Sequence, residues 1–155
     1  MLQVALSVVV AFIVAFAATP MVLKLAYRLG ALDNPCARKV HCKVTPRMGG
    51  LAIYLGFLLA ILISQPLSAK VAGILIGCTI IVFLGVFDDV KGLSPKKKLA
   101  GQTLAAVVVV LFGIKVSFLT NPFADVVGLG ILTIPVTILW IVGVTNAVNL
   151  IDGLD

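Results

Sequence analysis

The chain has 155 residues, of which 61% are hydrophobic and only 12% charged, and its mean hydropathy is +1.22. That composition excludes an ordinary water-soluble domain and marks an integral membrane protein. The net charge of +6 is therefore read by position, as a topology signal, and no nucleic-acid partner is expected.

Crossing ~30 Å of hydrocarbon takes about 20 apolar residues at 1.5 Å rise each. Stretches that reach or approach this are Leu2 to Leu23, Met48 to Ser64, Val71 to Phe87, Leu99 to Ile114, and Asp125 to Thr145 after its first residue. None alternates at period two, so helices are the spanning structure. The expected fold class is all-α, a polytopic membrane helix bundle of about five transmembrane helices forming a single integral membrane domain over residues 1–155. The first stretch has no basic residue before it and is too long for a signal-peptide core, so it reads as a retained span.

Lys24, Arg28, Arg38, Lys39, Lys43 and Arg47 fall in the first polar loop, and Lys91, Lys96, Lys97 and Lys98 in the link after the third stretch. Lys70 and Lys115 lie on the opposite side. This bias puts both basic loops in the cytoplasm and the N-terminus outside.

Taken in order, the first span carries Pro20, where a kink is expected. The loop that follows contains Asp33-Asn34-Pro35, a turn initiator. Its basic residues serve in part to anchor it at anionic headgroups. Anchoring alone does not explain Arg38-Lys39-Val40-His41 followed by Thr45-Pro46-Arg47-Met48-Gly49-Gly50, where a proline fixes a turn and two glycines allow close backbone approach. Cys36, His41 and Cys42 lack the paired spacing of a metal site.

The third span delivers Asp88 and Asp89. Adjacent carboxylates repel each other and oppose the helix dipole at a C-terminus, so they call for a cation. Ser94 and Pro95 then suit a helix start, placing Lys98 and Gln102 on one face. A lysine there can bind phosphate. The fifth span, with Pro135 near its middle, leads to Asn146, Asn149 and Asp152 at i+3 spacing, a polar stripe that is costly unless it lines a site. All three polar pieces lie on one side and are expected to converge. Carboxylates and amide oxygens are hard ligands of the kind that hold Mg²⁺ beside a phosphate, so the residues point to magnesium-dependent phosphoryl chemistry at a membrane face.

These motifs resemble those of the bacterial polyprenyl-phosphate N-acetylhexosamine-1-phosphate transferases, glycosyltransferase family 4. The run Asp33 to His41 with Thr45 to Gly50 resembles their first signature. Phe87-Asp88-Asp89 with Leu93-Ser94-Pro95 and Lys98 to Gln102 resembles the second, and Asn146 to Asp155 the third.

The resemblance implies transfer of N-acetylhexosamine-1-phosphate from a UDP-sugar to undecaprenyl phosphate, with release of UMP, in cell-envelope polysaccharide synthesis. It places the active site at the cytoplasmic face of a multi-pass inner-membrane protein. By the same resemblance Asp88 and Asp89 sit by the lipid phosphate, Lys98 neutralises the diphosphate, and Asn149 is a ligand of Mg²⁺, with Mn²⁺ as a substitute. Asp152, counted with the catalytic group, and Asp155 line the nucleotide pocket, with Asp155 near the uracil. Arg38, Lys39 and His41 bind substrate.

The Arg-Lys-x-His and Thr-Pro-Arg pattern resembles the N-acetylglucosamine-type enzymes, of lipopolysaccharide or teichoic-acid pathways among others, more than the muramoyl-pentapeptide branch. Family members continue beyond the third motif, so the chain is expected to be the N-terminal part of a longer transferase. The alternative is a non-catalytic membrane scaffold or lipid-carrier-binding remnant. The expected partners are UDP-N-acetylhexosamine, undecaprenyl phosphate and membrane lipid, and a homodimer is open to such a bundle.

Overall fold

The computed structural model describes residues 1–33, 44–120 and 126–152, apart from the side chains of Leu2 and Asp152. The helices are α1 (Leu2–Leu29), α2 (Gly49–Ser64), α3 (Ala69–Lys91), α4 (Pro95–Leu111) and α5 (Thr133–Asp152), the last entered through a 3₁₀ turn at Gly130–Leu132. Two short antiparallel ladders join β1 (Leu32–Asp33) to β2 (Thr45–Pro46) and β3 (Phe118–Leu119) to β4 (Val127–Gly128). The expected all-α bundle is what forms.

The span boundaries differ from expectation in ways the sequence explains. Gln3–Leu29, Ala69–Lys91 and Gly130–Ile151 are long and apolar enough to cross a bilayer. α2 has 16 residues, about 24 Å of helix, and α4 opens on three lysines. Helix α1 passes Leu23 and takes in Lys24 and Arg28, because nothing breaks it before Gly30, whose left-handed φ of 70° ends it with an N–H bond to the Ala26 carbonyl. It also runs unbroken through Pro20.

The fifth helix begins at Thr133 rather than near Asp125, since part of the preceding segment pairs as β3 and β4. Pro135 thereby lies in its first turn, where a missing N–H costs nothing, and not near its middle.

The chain forms two compact units, Met1–Leu67 with Ile81–Ser94, and Ser68–Ile80 with Pro95–Asp155. In the first, α1 and α2 make an antiparallel hairpin. The Gln3 side chain donates to the Ser64 carbonyl at 2.8 Å at one end, and Val22, Ala26, Ala31, Met48 and Ala52 form a core at the other. Ala52, Gly56, Ala60 and Ser64 recur every four residues on the buried face of α2. Small side chains let two membrane helices approach closely where hydrophobicity gives no driving force. Val86 and Val90 of α3 pack on the same core.

In the second unit, Gly73 faces Phe112, just past the end of α4, and Gly77 faces Val109 of α4, and α4 packs on α5. The Thr137 hydroxyl, 2% exposed, accepts the Val116 N–H at 2.9 Å and donates to the Thr133 carbonyl at 2.6 Å. That contact ties the β3 approach to α5.

Candidate functional site

Helix α3 ends in the turn that carries the carboxylate pair. Asp88 and Asp89 are half-buried within its last four residues. The Asp88 carbonyl accepts the N–H of Gly92, whose φ is +65°, and its side-chain Oδ1 accepts the Leu93 N–H at 2.8 Å. Asp88 therefore closes the turn as well as presenting a carboxylate. Lys91, a candidate counter-ion, places its Nζ 5.9 Å from the centre of the Phe87 ring, a cation–π distance. The link to α4 is only Gly92 to Ser94.

The base of the basic loop belongs to the same unit. β1 and β2 pair Leu32 with Pro46 and Asp33 with Thr45, Arg47 donates to Asp33 Oδ1 at 2.8 Å, and the Arg47 N–H bonds to the Ala31 carbonyl. Met48 then adopts a left-handed φ of 76° while its side chain is buried. A non-glycine residue rarely does this without surrounding structure to hold it. Gly49 and Gly50 open α2 as the sequence suggests, but among the described residues nothing stands within 4 Å of a Cβ added at either. Arg38, Lys39 and His41 lie outside the described residues.

In the second unit Lys98 is half-buried in the first turn of α4, and Gln102, one turn on, is 2% exposed. Gln102 Oε1 accepts from Asn146 Nδ2 at 2.8 Å, and the same nitrogen donates to the Val142 carbonyl at 3.0 Å. Both amide hydrogens of Asn146 are thus committed to the protein, and only its Oδ1 is left to accept.

The Lys98 to Gln102 part of the second motif meets the third motif through this pair, which the i+4 spacing of Lys98 and Gln102 foreshadowed without naming the partner. Asn149 follows one turn later and is exposed. Helix α5 reaches Asp152, whose side chain lies outside the described residues, as does all of Asp155. Among the described residues no three His, Cys, Asp or Glu side chains come together as a metal site. The oxygens they do supply are hard donors, and Mg²⁺ is commonly held by one or two protein oxygens completed by water and phosphate.

These features define a polytopic helical membrane protein whose acidic and amide side chains collect at helix ends. Residues 71–155 match the family Glycosyl transferase family 4. The chain is 41% identical, over its whole length, to a Bacillus subtilis protein described as probable undecaprenyl-phosphate N-acetylglucosaminyl 1-phosphate transferase. It is 39% identical, over 99% of its length, to the decaprenyl-phosphate N-acetylglucosaminephosphotransferase of Mycobacterium leprae. A phospho-N-acetylmuramoyl-pentapeptide-transferase of Streptococcus pneumoniae is 40% identical over 72% of the chain. The chain belongs to glycosyl transferase family 4. It spans 44%, 42% and 38% of the length of these relatives. No solved structure matches it.

Proposed function

We propose that the protein transfers N-acetylglucosamine-1-phosphate from its UDP-linked form to undecaprenyl phosphate at the cytoplasmic face of the membrane, in cell-envelope polysaccharide synthesis. The observation that carries this reading is the pair of relatives aligned along essentially the whole chain, both of which bear N-acetylglucosaminyl names. The muramoyl-pentapeptide relative aligns over less of it. The ordered motifs at the ends of α3, α4 and α5 agree with it.

In the proposed reaction an oxygen of the lipid phosphate attacks the β-phosphorus of the sugar nucleotide. A new P–O bond forms, the bond from that phosphorus to the bridging oxygen breaks, and UMP leaves with the electron pair. Asp88 and Asp89 orient the lipid phosphate or take its proton. Lys98 balances the diphosphate charge, and Arg38, Lys39 and His41 contact substrate. Asn149 supplies an oxygen ligand, and Asp152, counted with the catalytic group, and Asp155 line the nucleotide pocket. Mg²⁺, or Mn²⁺, bound at Asn149 would neutralise charge on the transferring phosphate.

The test is UMP release by the purified protein, as its native gene encodes it, from UDP-N-acetylglucosamine with undecaprenyl phosphate. Release that needs both substrates and stops on chelation supports the reading. Binding of undecaprenyl phosphate without any turnover would overturn it in favour of a lipid-carrier-binding remnant.

A further inference from the structure

Helices α1 and α2 enclose a groove of about 510 Å³ at the end of the hairpin where α1 carries its cations. Met21 and Leu25 line it from α1, and Leu51 and Leu55 from α2. Buried Val22 also contributes, and Lys24 and Arg28 complete the lining. Both cations are exposed, and neither makes an ion pair or hydrogen bond among the described residues. They stand at i and i+4, on one face of the helix.

Their depth is set by the sequence. From Leu2 to Leu23 the helix carries no charge, and at 1.5 Å per residue that stretch is about 33 Å long, close to the hydrocarbon thickness. Lys24 therefore falls where acyl chains give way to headgroups, and Arg28 lies about 6 Å further out, in the phosphate layer. Leu51 and Leu55 occupy the first two turns of α2, which runs back into the membrane. The groove is thus an apolar slot descending from two cations at phosphate depth that have no side-chain partner among the described residues. A soluble anion would use only its upper end, and a neutral lipid only its lower.

The geometry points to a binding site for an anionic glycerophospholipid of the surrounding bilayer, with its headgroup phosphate held by Lys24 and Arg28 and an acyl chain along Met21, Leu25, Leu51 and Leu55. The site uses none of the residues assigned to transfer and does not depend on that reading. A basic residue near an anionic membrane surface is worth about fivefold in affinity, so the two together give about thirtyfold.

The test titrates the purified protein, as its native gene encodes it, with phosphatidylglycerol and with phosphatidylcholine of the same chain length, and reads retained lipid by native mass spectrometry. Phosphatidylglycerol is expected to bind about thirtyfold more tightly. The double variant K24Q/R28Q should bring it to the phosphatidylcholine level, whereas Lys115→Gln leaves the preference intact. If the double variant does not fold, Leu55→Trp, which fills the slot, should cause the same loss of tight binding. Equal affinity of the two lipids for the wild type would overturn the proposal, as would a preference that survives the variants. Retention of neither lipid would mean that protein covers the groove. Displacement of phosphatidylglycerol by substoichiometric undecaprenyl phosphate would reassign it to the carrier lipid.

Discussion

Gly56 gives the sharpest test of the α1–α2 hairpin. A methyl group built on it would overlap the Ala11 carbonyl oxygen and approach the Ala15 Cβ at 3.1 Å and the Ala15 nitrogen at 3.2 Å. Two of these three atoms are backbone and cannot rotate away, so Gly56→Ala must push the helices apart. Overpacking of this kind costs about 1–3 kcal/mol, and the better helix propensity of alanine offsets at most about 1 kcal/mol of it.

For a net cost of about 1–2 kcal/mol, at about 2–4 °C per kcal/mol for a chain of this size, the melting temperature should fall by about 2–8 °C. Gly77→Ala is crowded by the Val109 Cγ2, at 2.5 Å, a methyl that can move, while the Ala105 carbonyl oxygen stands at an ordinary 3.5 Å, so it should cost less. Gly85, with nothing within 4 Å, should tolerate alanine or gain up to about 1 kcal/mol. Thermal unfolding of the three variants in one detergent, followed by circular dichroism, reads the order directly. A Gly56→Ala protein as stable as wild type, or less impaired than Gly85→Ala, would refute the close packing of α1 on α2.

Other variants probe the remaining contacts. Asp88→Asn keeps an oxygen that can accept the Leu93 N–H but loses the charge, so transfer should fall by about a hundredfold or more with the fold intact. UMP release and circular dichroism on the same sample check both, and unchanged release would remove the carboxylate role. Thr137→Val strands the Val116 N–H and should cost about 1–3 kcal/mol in thermal unfolding. A double-mutant cycle of Gln102→Leu and Asn146→Leu should return a coupling of about 0.5–1.7 kcal/mol, within the range for interhelical polar pairs in membranes. A coupling near zero would deny the bond between α4 and α5.

Much of this was legible because membrane helices are written in long uncharged runs, and because Pro95 and the Asp88 turn punctuate them. The boundaries were less legible. Lys24 and Arg28 look like loop residues by charge, yet both are good helix formers and the dipole favours cations at a C-terminus. The start of the fifth helix was hidden because Val126 to Ile134 is as apolar as a span and hydropathy does not separate strand from helix.

At the candidate site, the spacing marked Lys98 with Gln102 and Asn146 with Asn149. The bond between Gln102 and Asn146 joins residues 44 apart and is not written in any local pattern. The left-handed Met48 had no signal at all, since the sequence offers two glycines immediately after it.

The β1–β2 ladder has a consequence for how this protein can change. It pairs Asp33 with Thr45, on either side of the basic segment. Once the ends are clasped, doubling the length of such a connection raises its closure entropy cost by only about 0.6 kcal/mol. The segment that carries Arg38, Lys39 and His41 is therefore an exchangeable cassette. Insertions, deletions or grafts from relatives should be accepted there while the hairpin keeps its melting temperature, so the residues proposed to contact substrate can diverge without renegotiating the membrane fold.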